Sequence, residues 1–539
     1  MVEVTRSNFQ ETLPLVQQVI DQCSFFAIDS EFTGLESSSA TEKTLFDSPE
    51  ERYIKLKQNA EAFTISQFGL ACYSPQQQDI QSNKYTAHVF NFFLLPRPVG
   101  NLDPRFKVQV SSIEFLCQNS FDFNKYFYGG IPYLNETIEE ELRREYQMKL
   151  KPENIQDVEL MDHSGDRLMA IIKEWRDKNL ILHQQSCLDL KTNPSLSLGD
   201  FIQQIHAQFP DVHAYVNADG RLIVKLNTRN TSNNNQEMNW ANTIQHYIGF
   251  SHVFKMLVKS RKPMVGHNLM MDIMLMYNHF YQPLPPTLVE FKRNMLKLFN
   301  PIIDTKQLCV FIRKEYNVLN DTSLSEVYKQ LTSNQWSLFS LCSPDVNISN
   351  SNIKKVTLFH EAGNDAYSAG FVFLRIGHFL YINGKSSREA QPAPFATYLH
   401  LMKKFENRIN VIRGTIDYYY LAGPDPPSNR PKWFVVTPRR STFLPNEVLH
   451  HFYQFGSADV KILSNKRAIV AVSSRGSFKD VVRYFNTYKG LNVRTYSKFW
   501  DSDKTVYTVS RGAFYALSTT LALSSTTGII YGIYWLLNH

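Results

Sequence analysis

The chain reads as an α/β protein built on a mixed sheet. It is expected to carry a small inserted α+β domain, a second α+β domain near the C-terminus, and a last segment that forms a C-terminal transmembrane helix. Three observations predict this. Apolar strand-like runs come first and then alternate with helical patterns, the order expected of α/β or α+β domains with a mixed sheet. The interval from about Ile155 to Asn239 interrupts that alternation like an insertion. From Gly512 to Leu537 the run GAFYALSTTLALSSTTGIIYGIYWLL contains no Asp, Glu, Lys or Arg.

Composition bounds the answer further. Of 539 residues, 43% are hydrophobic and 13% aromatic, which supplies several cores and excludes a mainly disordered chain. A net charge of +7 is mild over this length. It excludes a histone-like polybasic protein but not local positive grooves. The six cysteines (Cys23, Cys72, Cys117, Cys187, Cys309 and Cys342) lie far apart without a C-x-x-C pair, which argues against a zinc module or disulfide scaffold and for a reducing compartment. Met1 to Gln18 carries Glu3, Arg6 and Glu11 and no apolar stretch, so no signal peptide is expected there.

The elements follow in order. Phe25–Asp29 is a short apolar run ending in acid, the pattern of a buried central strand. Ala62–Tyr73 and Tyr85–Leu95, rich in β-branched and aromatic residues, read as two more strands. Helical patterns follow at Glu139–Lys149, Ile244–Lys259 and Leu269–Phe280. Strand-like Ile302–Asp304 leads into a helical Thr305–Tyr316, and Asn364–Leu380 reads as a long helix. Residues 1–154 and 240–422 thus form two parts of one domain, split by residues 155–239. That insertion holds helices at Arg167–Lys178 and Leu198–Phe209 and a hairpin turning at Ala218-Asp219-Gly220. It closes in the polar tract NTRNTSNNNQEMN. After the Pro-rich linker Gly423–Arg430, residues 432–499 show a βαββαβ order, the ferredoxin-like or RRM pattern. The third-strand segment Lys466–Val472 has no aromatic on which a base could stack. As a helix, residues 512–537 would span ~39 Å, enough for a ~30 Å hydrocarbon core. Arg511 and Lys504 before it predict a cytosolic body with a C-terminal anchor. A buried terminal helix is the alternative.

Three short motifs could carry chemistry. In Asp29-Ser30-Glu31, strand alternation sends both carboxylates to one side, a seat for a divalent cation that wants oxygen ligands; a solvated strand end is the plainer account. In PMVGHNLMMD, Asp272 follows Gly266-His267-Asn268 among Leu269, Met270, Met271, Ile273 and Met274. A carboxylate among core residues is costly unless paired or metal-bound. Its competitor is an acid compensating a helix N-terminus, and the methionines are most simply core. In HEAGNDAY, His360 sits five residues before Asp365, so the two can converge on one cavity, although a surface hydrogen bond also explains them. Together, four acids and a histidine fit one reaction. Two metals held by shared carboxylates stabilise the attacking and leaving oxygens of phosphodiester cleavage, while an imidazole takes the proton from water.

With these residues the chain resembles the DEDDh group of 3′→5′ exonucleases and, more closely, the PARN family of exoribonucleases. The matching text includes DSEFTGL, SPEERYIKLKQNAEAFTISQFGL, FDFNKYFYGGIPYLN, VGHNLMMD, IIDTK, LSEVY and HEAGNDAYSAG. It extends over roughly residues 1–500, and its hydrophobic tail is a feature of the family's piRNA-precursor-trimming branch. The resemblance implies an RNase H-like (RNase D/DnaQ-like) DEDD exonuclease fold. It implies Asp29, Glu31 and Asp365 around one Mg²⁺, Asp29 and Asp272 around a second (Mn²⁺ as an alternative ion), His360 as general base, and 5′-mononucleotides as products. Phe32 and Leu35 either contact the terminal base or pack in the core. The family's Arg-x-x-x-His nucleic-acid motif is missing from residues 155–239, and Ile462 stands where a cap-stacking tryptophan is expected. Basic Lys255, Lys259, Arg261, Lys262, Arg439 and Arg440 either meet phosphates or form a solvated face.

The expected substrates are therefore single-stranded RNA 3′ ends, foremost piRNA precursors. Delivery by a PIWI-family or Tudor-domain protein is expected to compensate for weak RNA binding, and a homodimer is a further expectation. The expected place is a membrane surface, the mitochondrial outer membrane before the endoplasmic reticulum. A poly(A)-specific mRNA deadenylase and a non-catalytic membrane-tethered RNA-binding scaffold are the alternatives.

Overall fold

The computed structural model describes residues 1–76, 83–99, 101–150, 155–158, 165–182, 187–190, 198–216, 221–226, 244–333, 342–349, 359–384, 392–438, 445–488 and 490–497. Its strands in chain order are β1 (Val2–Val4), β2 (Phe25–Phe32), β3 (Ile65–Pro75), β4 (Lys84–Phe93), β5 (Ile155–Val158), β6 (Cys187–Leu190), β7 (Val212–Val216), β8 (Leu222–Leu226), β9 (Met264–Gly266), β10 (Ile302–Asp304), β11 (Asp345–Ile348), β12 (Arg408–Asn410), β13 (Tyr418–Tyr420), β14 (Phe434–Pro438), β15 (Ala458–Ser464), β16 (Arg467–Val472) and β17 (Leu491–Thr495). The chain divides into two compact units. The first comprises Met1–Lys43, Ser48–Ile412 and Ile416–Pro427, and the second Thr44–Asp47, Arg413–Thr415 and Ser428–His539.

The main sheet of the first unit has the order β1-β4-β3-β2-β9-β10-β12-β13, with β11 also on β4. β3 runs antiparallel to both β2 and β4, whereas β2, β9, β10 and β12 are mutually parallel. The sheet is mixed, as the element order predicts. Phe26, Ile28, Phe68, Leu70, Phe90 and Phe92 bury one face against the helix Phe9–Gln22 and the Ser251–Ser260 region. Phe25, Ala27, Ala71, Tyr73 and Val89 bury the other against the helix Ala362–Asn383. A sheet covered on both faces gives the nearly continuous apolar runs seen in the sequence.

Two predicted helices are shorter than expected. Ile244–Lys259 is interrupted at Gly249, whose φ of +44° favours glycine and whose missing Cβ admits the Pro132 carbonyl; the helix restarts at Ser251. The segment Leu269–Phe280 holds an α-helix only over Met270–Met276, and a wider π-type turn follows at Tyr277–Tyr281. The sequence reading also overlooked β1, β12, β13 and the helix Pro49–Ala62, the last opened by a reciprocal Ser48–Glu51 cap.

A second, four-stranded sheet lies in the insertion, ordered β5-β6-β8-β7 over its own core of Leu168, Ile172, Trp175, Phe201, Ile205 and Val224. The predicted helices are found at Gly165–Leu182 and Leu198–Gln208, and β7 pairs antiparallel with β8; β5 and β6 were not foreseen. The proposed turn at 218–220 and the tract 227–239 lie outside the described residues. In the second unit the order is β14, helix Pro445–Tyr453, β15, β16, helix Arg475–Thr487, β17, with a fully antiparallel sheet β15-β16-β14-β17. Within that unit Leu45 N–H and the Arg413 guanidinium both donate to Asp459 on β15 at 2.6 Å.

Among the described residues no helix is long and apolar enough to cross a membrane. Residues 512–537, where the span is expected, lie outside the described residues. All six cysteines are free thiols.

Candidate active site

β2 does not stop at Asp29 but continues through the acids to Phe32. Because alternate side chains share a face, Asp29 and Glu31 point to one side. The helix Ala362–Asn383 brings Asp365 to them in its first turn. One carboxylate oxygen from each of Asp29, Glu31 and Asp365 lies within 4.8 Å of the others. Asp272, in the first turn of Met270–Met276, lies outside that close triad. Its charge nonetheless reaches both Asp29 and Glu31.

Four carboxylates in one place strain their own ionisation. Burial, then the charges of Asp365, Asp272 and Glu31, hold Asp29 well above the usual carboxylate range. Burial and the charges of Asp365 and Asp272 do the same to Glu31. Burial pushes Asp272 up to about 7. It raises Asp365 to about 7 as well, against the pull of the His360 N–H. Oδ1 of Asp272 and Oδ1 of Asp365 are buried without a hydrogen-bond partner. Buried acceptors in native proteins are normally satisfied. Orphaned oxygens beside two further carboxylates fit hard divalent cations, which bring charge and coordination together.

His360 stands in the left-handed region at φ +65°. Its backbone N–H donates to Asp365 Oδ2 at 3.0 Å. The imidazole packs edge-on against Phe115, ring centroids 4.9 Å apart. Partial burial lowers its pKa, leaving it neutral near pH 7 and able to accept a proton. Phe32 packs against the core, whereas Leu35 is 46% exposed, its N–H held by Gln109 Oε1.

Sequence reasoning missed several residues around the acids. Asp29 stands opposite Gly69 on β3, and Gly69 opposite Asn91 on β4; Glu31 stands opposite Gln67. Gln67 Oε1 accepts the N–H of Ala362 and Asn91 Oδ1 that of Gly363. Their signal in the sequence is slight: polar Gln67 and Asn91, 3% and 0% exposed, inside strands rich in apolar residues. Asp304 was likewise passed over. Fully buried, its carboxylate accepts N–H bonds from Asn268, Leu269, Lys306 and Asn410 at 2.7–3.1 Å, tying β10 to the start of the Asp272 helix.

The basic residues offered for phosphate contact are mostly engaged within the protein. Lys255 pairs with Glu139 at 2.7 Å, Arg261 donates to the Lys297 carbonyl, and Lys262 donates to the Asp21 and Cys23 carbonyls. Arg439 and Arg440 lie outside the described residues.

Comparisons with known proteins agree with the resemblance read from the motifs. Mouse "Poly(A)-specific ribonuclease PNLDC1" is 30% identical over 512 residues, covering 92% of this chain and 94% of that protein. The "Pre-piRNA 3'-exonuclease trimmer" of Bombyx mori is 26% identical, covering 92% and 94%. Human "Poly(A)-specific ribonuclease PARN" is 28% identical, covering 92% and 80%. Among solved structures, S. pombe Pop2p in its Mg²⁺- and Mn²⁺-bound form aligns with 73% of this chain and 98% of that chain at 14% identity and a TM-score of 0.35. The CAF1 family ribonuclease model matches residues 4–373, and with it the chain belongs to the CAF1 family of ribonucleases and is a nuclease.

Proposed function

We propose that the chain is a 3′→5′ exoribonuclease that shortens single-stranded RNA 3′ ends, releasing 5′-mononucleotides. The observation that carries the reading is the cluster of Asp29, Glu31 and Asp365 within 4.8 Å, with the orphaned oxygens of Asp272 and Asp365 beside it. These four acids would hold two divalent cations, Mg²⁺ or Mn²⁺, with Asp29 shared. When bound, such ions stabilise the charge that develops on the attacking and leaving oxygens of a phosphodiester. The chain's own part is to bind and to move a proton. Neutral His360, exposed and five residues before Asp365, would accept the proton of the attacking water. Its backbone N–H keeps Asp365 oriented. Exposed Leu35 and Phe115 offer apolar contact to a terminal nucleotide.

Within that reaction we take piRNA precursors as the substrate, supported by the similarity to the Bombyx mori trimmer. A poly(A) preference is the second reading, favoured by the names of the mouse and human relatives. Substrate delivery by a PIWI-family or Tudor-domain partner, and tethering by residues 512–537 at the mitochondrial outer membrane or the endoplasmic reticulum, complete the proposal. Their support is the uncharged tail and the engagement of Lys255, Arg261 and Lys262 within the protein. The test is incubation with 5′- and 3′-labelled RNAs ending in A-runs or mixed sequence, with free or blocked 3′ hydroxyls and with Mg²⁺ or EDTA. Stepwise shortening from free 3′ ends in Mg²⁺ alone is expected. Internal cleavage, or equal rates in EDTA, would refute the reading.

A further inference from the structure

Asp365 lies almost 300 residues from Gly69 in sequence, yet the first residues of its helix, Ala362 and Gly363, pack against the Gly69 backbone. A Cβ at Gly69 would overlap the Ala362 carbonyl and stand 2.6 Å from Gly363 N. Gly69 has no positive φ, so glycine is required there by close approach and not by backbone conformation. Residues directly opposite in antiparallel strands point to the same face. The row Asp29–Gly69–Asn91 therefore sets a carboxylate, a gap and an amide side by side beneath the start of the helix Ala362–Asn383. The first N–H groups of a helix have no partner inside it. Here Gln67 takes that of Ala362 at 2.9 Å and Asn91 that of Gly363 at 3.1 Å. Asn91 Nδ2 also donates to Glu361 at 3.1 Å, the residue before the helix. The helix end is thus fixed in depth by the gap and in direction by two amides. All of these contacts fall within four residues of Asp365, and Gly69 and Gln67 are themselves the strand partners of Asp29 and Glu31.

We infer that Gln67, Gly69 and Asn91 are positioning residues that set Asp365 at ligand distance from Asp29 and Glu31. The inference rests on the reading of Asp365 as a metal-holding acid. Residues that orient metal ligands typically change metal affinity or activity about 10- to 100-fold when substituted.

The test uses the full chain and four variants, G69A, Q67L, G370A and D365N. Mg²⁺ affinity is measured by calorimetry, kcat and KM on a short RNA separately, and Tm. Gly370 serves as a control on the same helix, two turns further along, where a Cβ would meet the Tyr73 ring. G69A and Q67L are expected to weaken Mg²⁺ binding and lower kcat about 10- to 100-fold, with KM changed less than about 2-fold. G370A is expected to lower Tm while Mg²⁺ affinity holds. Q67L removes one hydrogen bond without adding bulk at the backbone contact, so it decides the question if G69A does not fold. Wild-type Mg²⁺ affinity in Q67L, or an equal loss in G370A, overturns the positioning role while D365N still shows the loss. Unchanged affinity in D365N overturns the reading of Asp365 and this inference together.

Discussion

The backbone N–H of His360 donates to Asp365 Oδ2 at 3.0 Å, so the proposed general base and one proposed cation-holding acid are set by one turn of chain. His360 adopts φ +65°, a conformation that asparagine tolerates better than most residues. H360N should therefore keep the N–H bond and lose only the imidazole. We expect Mg²⁺ affinity within about 2-fold of wild type and a kcat lower by about 10²–10⁴, read by single-turnover mononucleotide release. A weakened Mg²⁺ affinity would mean that the imidazole supports the cation site directly.

The crowded acids make a trade of stability for function. In the metal-free chain Asp365 and Asp272 raise the cost of ionising Asp29 and Glu31. D29N removes one charge from the cluster. Its Tm in EDTA should rise above wild type while RNA shortening in Mg²⁺ disappears. A Tm equal to or below wild type in EDTA would show that the carboxylates do not repel.

The pH dependence follows with its sign. Asp272 and Asp365 sit near 7 when folded, against an ordinary 3.8. Between those values the folded state holds more protons, so their favourable contribution is complete below about 3.8 and is lost as pH rises through 7. Cations compete with the same protons. The gain in Tm from Mg²⁺ over EDTA should grow from about pH 5.5 to about pH 8; a constant gain would place the ions elsewhere. His267 runs the opposite way. Burial, and secondarily Lys306, lower it from 6.5 to about 3, so its contribution is lost as pH falls below 6.5, with or without Mg²⁺.

Asp304 is the acid that no water or cation needs to reach. Its four backbone donors join β10, β12 and the start of the Asp272 helix. D304N keeps the shape but turns an amide N–H₂ toward one pair of donors. A loss of about 2–4 kcal/mol is expected from urea unfolding. A change below about 0.5 kcal/mol would mean that the network re-forms around the amide.

The legible part of this protein was local. Alternation in Asp29-Ser30-Glu31 puts both carboxylates on one face, and Ile302–Asp304 with Thr305–Tyr316 match their predicted bounds. The break at Gly249 was hidden because its apolar spacing continues on both sides and only the nearby Pro132 carbonyl demands a glycine. Lys255, Arg261 and Lys262 looked free because their partners, Glu139 and three backbone carbonyls, are set by packing rather than by neighbouring sequence.

The sequence alone determined which groups can carry the chemistry and in what order the chain presents them, because side-chain type and the two-residue strand period are local properties. Only the tertiary structure gives the distance at which Asp365 joins Asp29 and Glu31, within 4.8 Å, with Asp272 beyond that triad yet within reach of their charge. The reason is physical: carboxylates repel one another. What holds them together is helix-end N–H groups seeking acceptors and a missing Cβ on a distant strand, and no stretch of sequence records those long-range contacts.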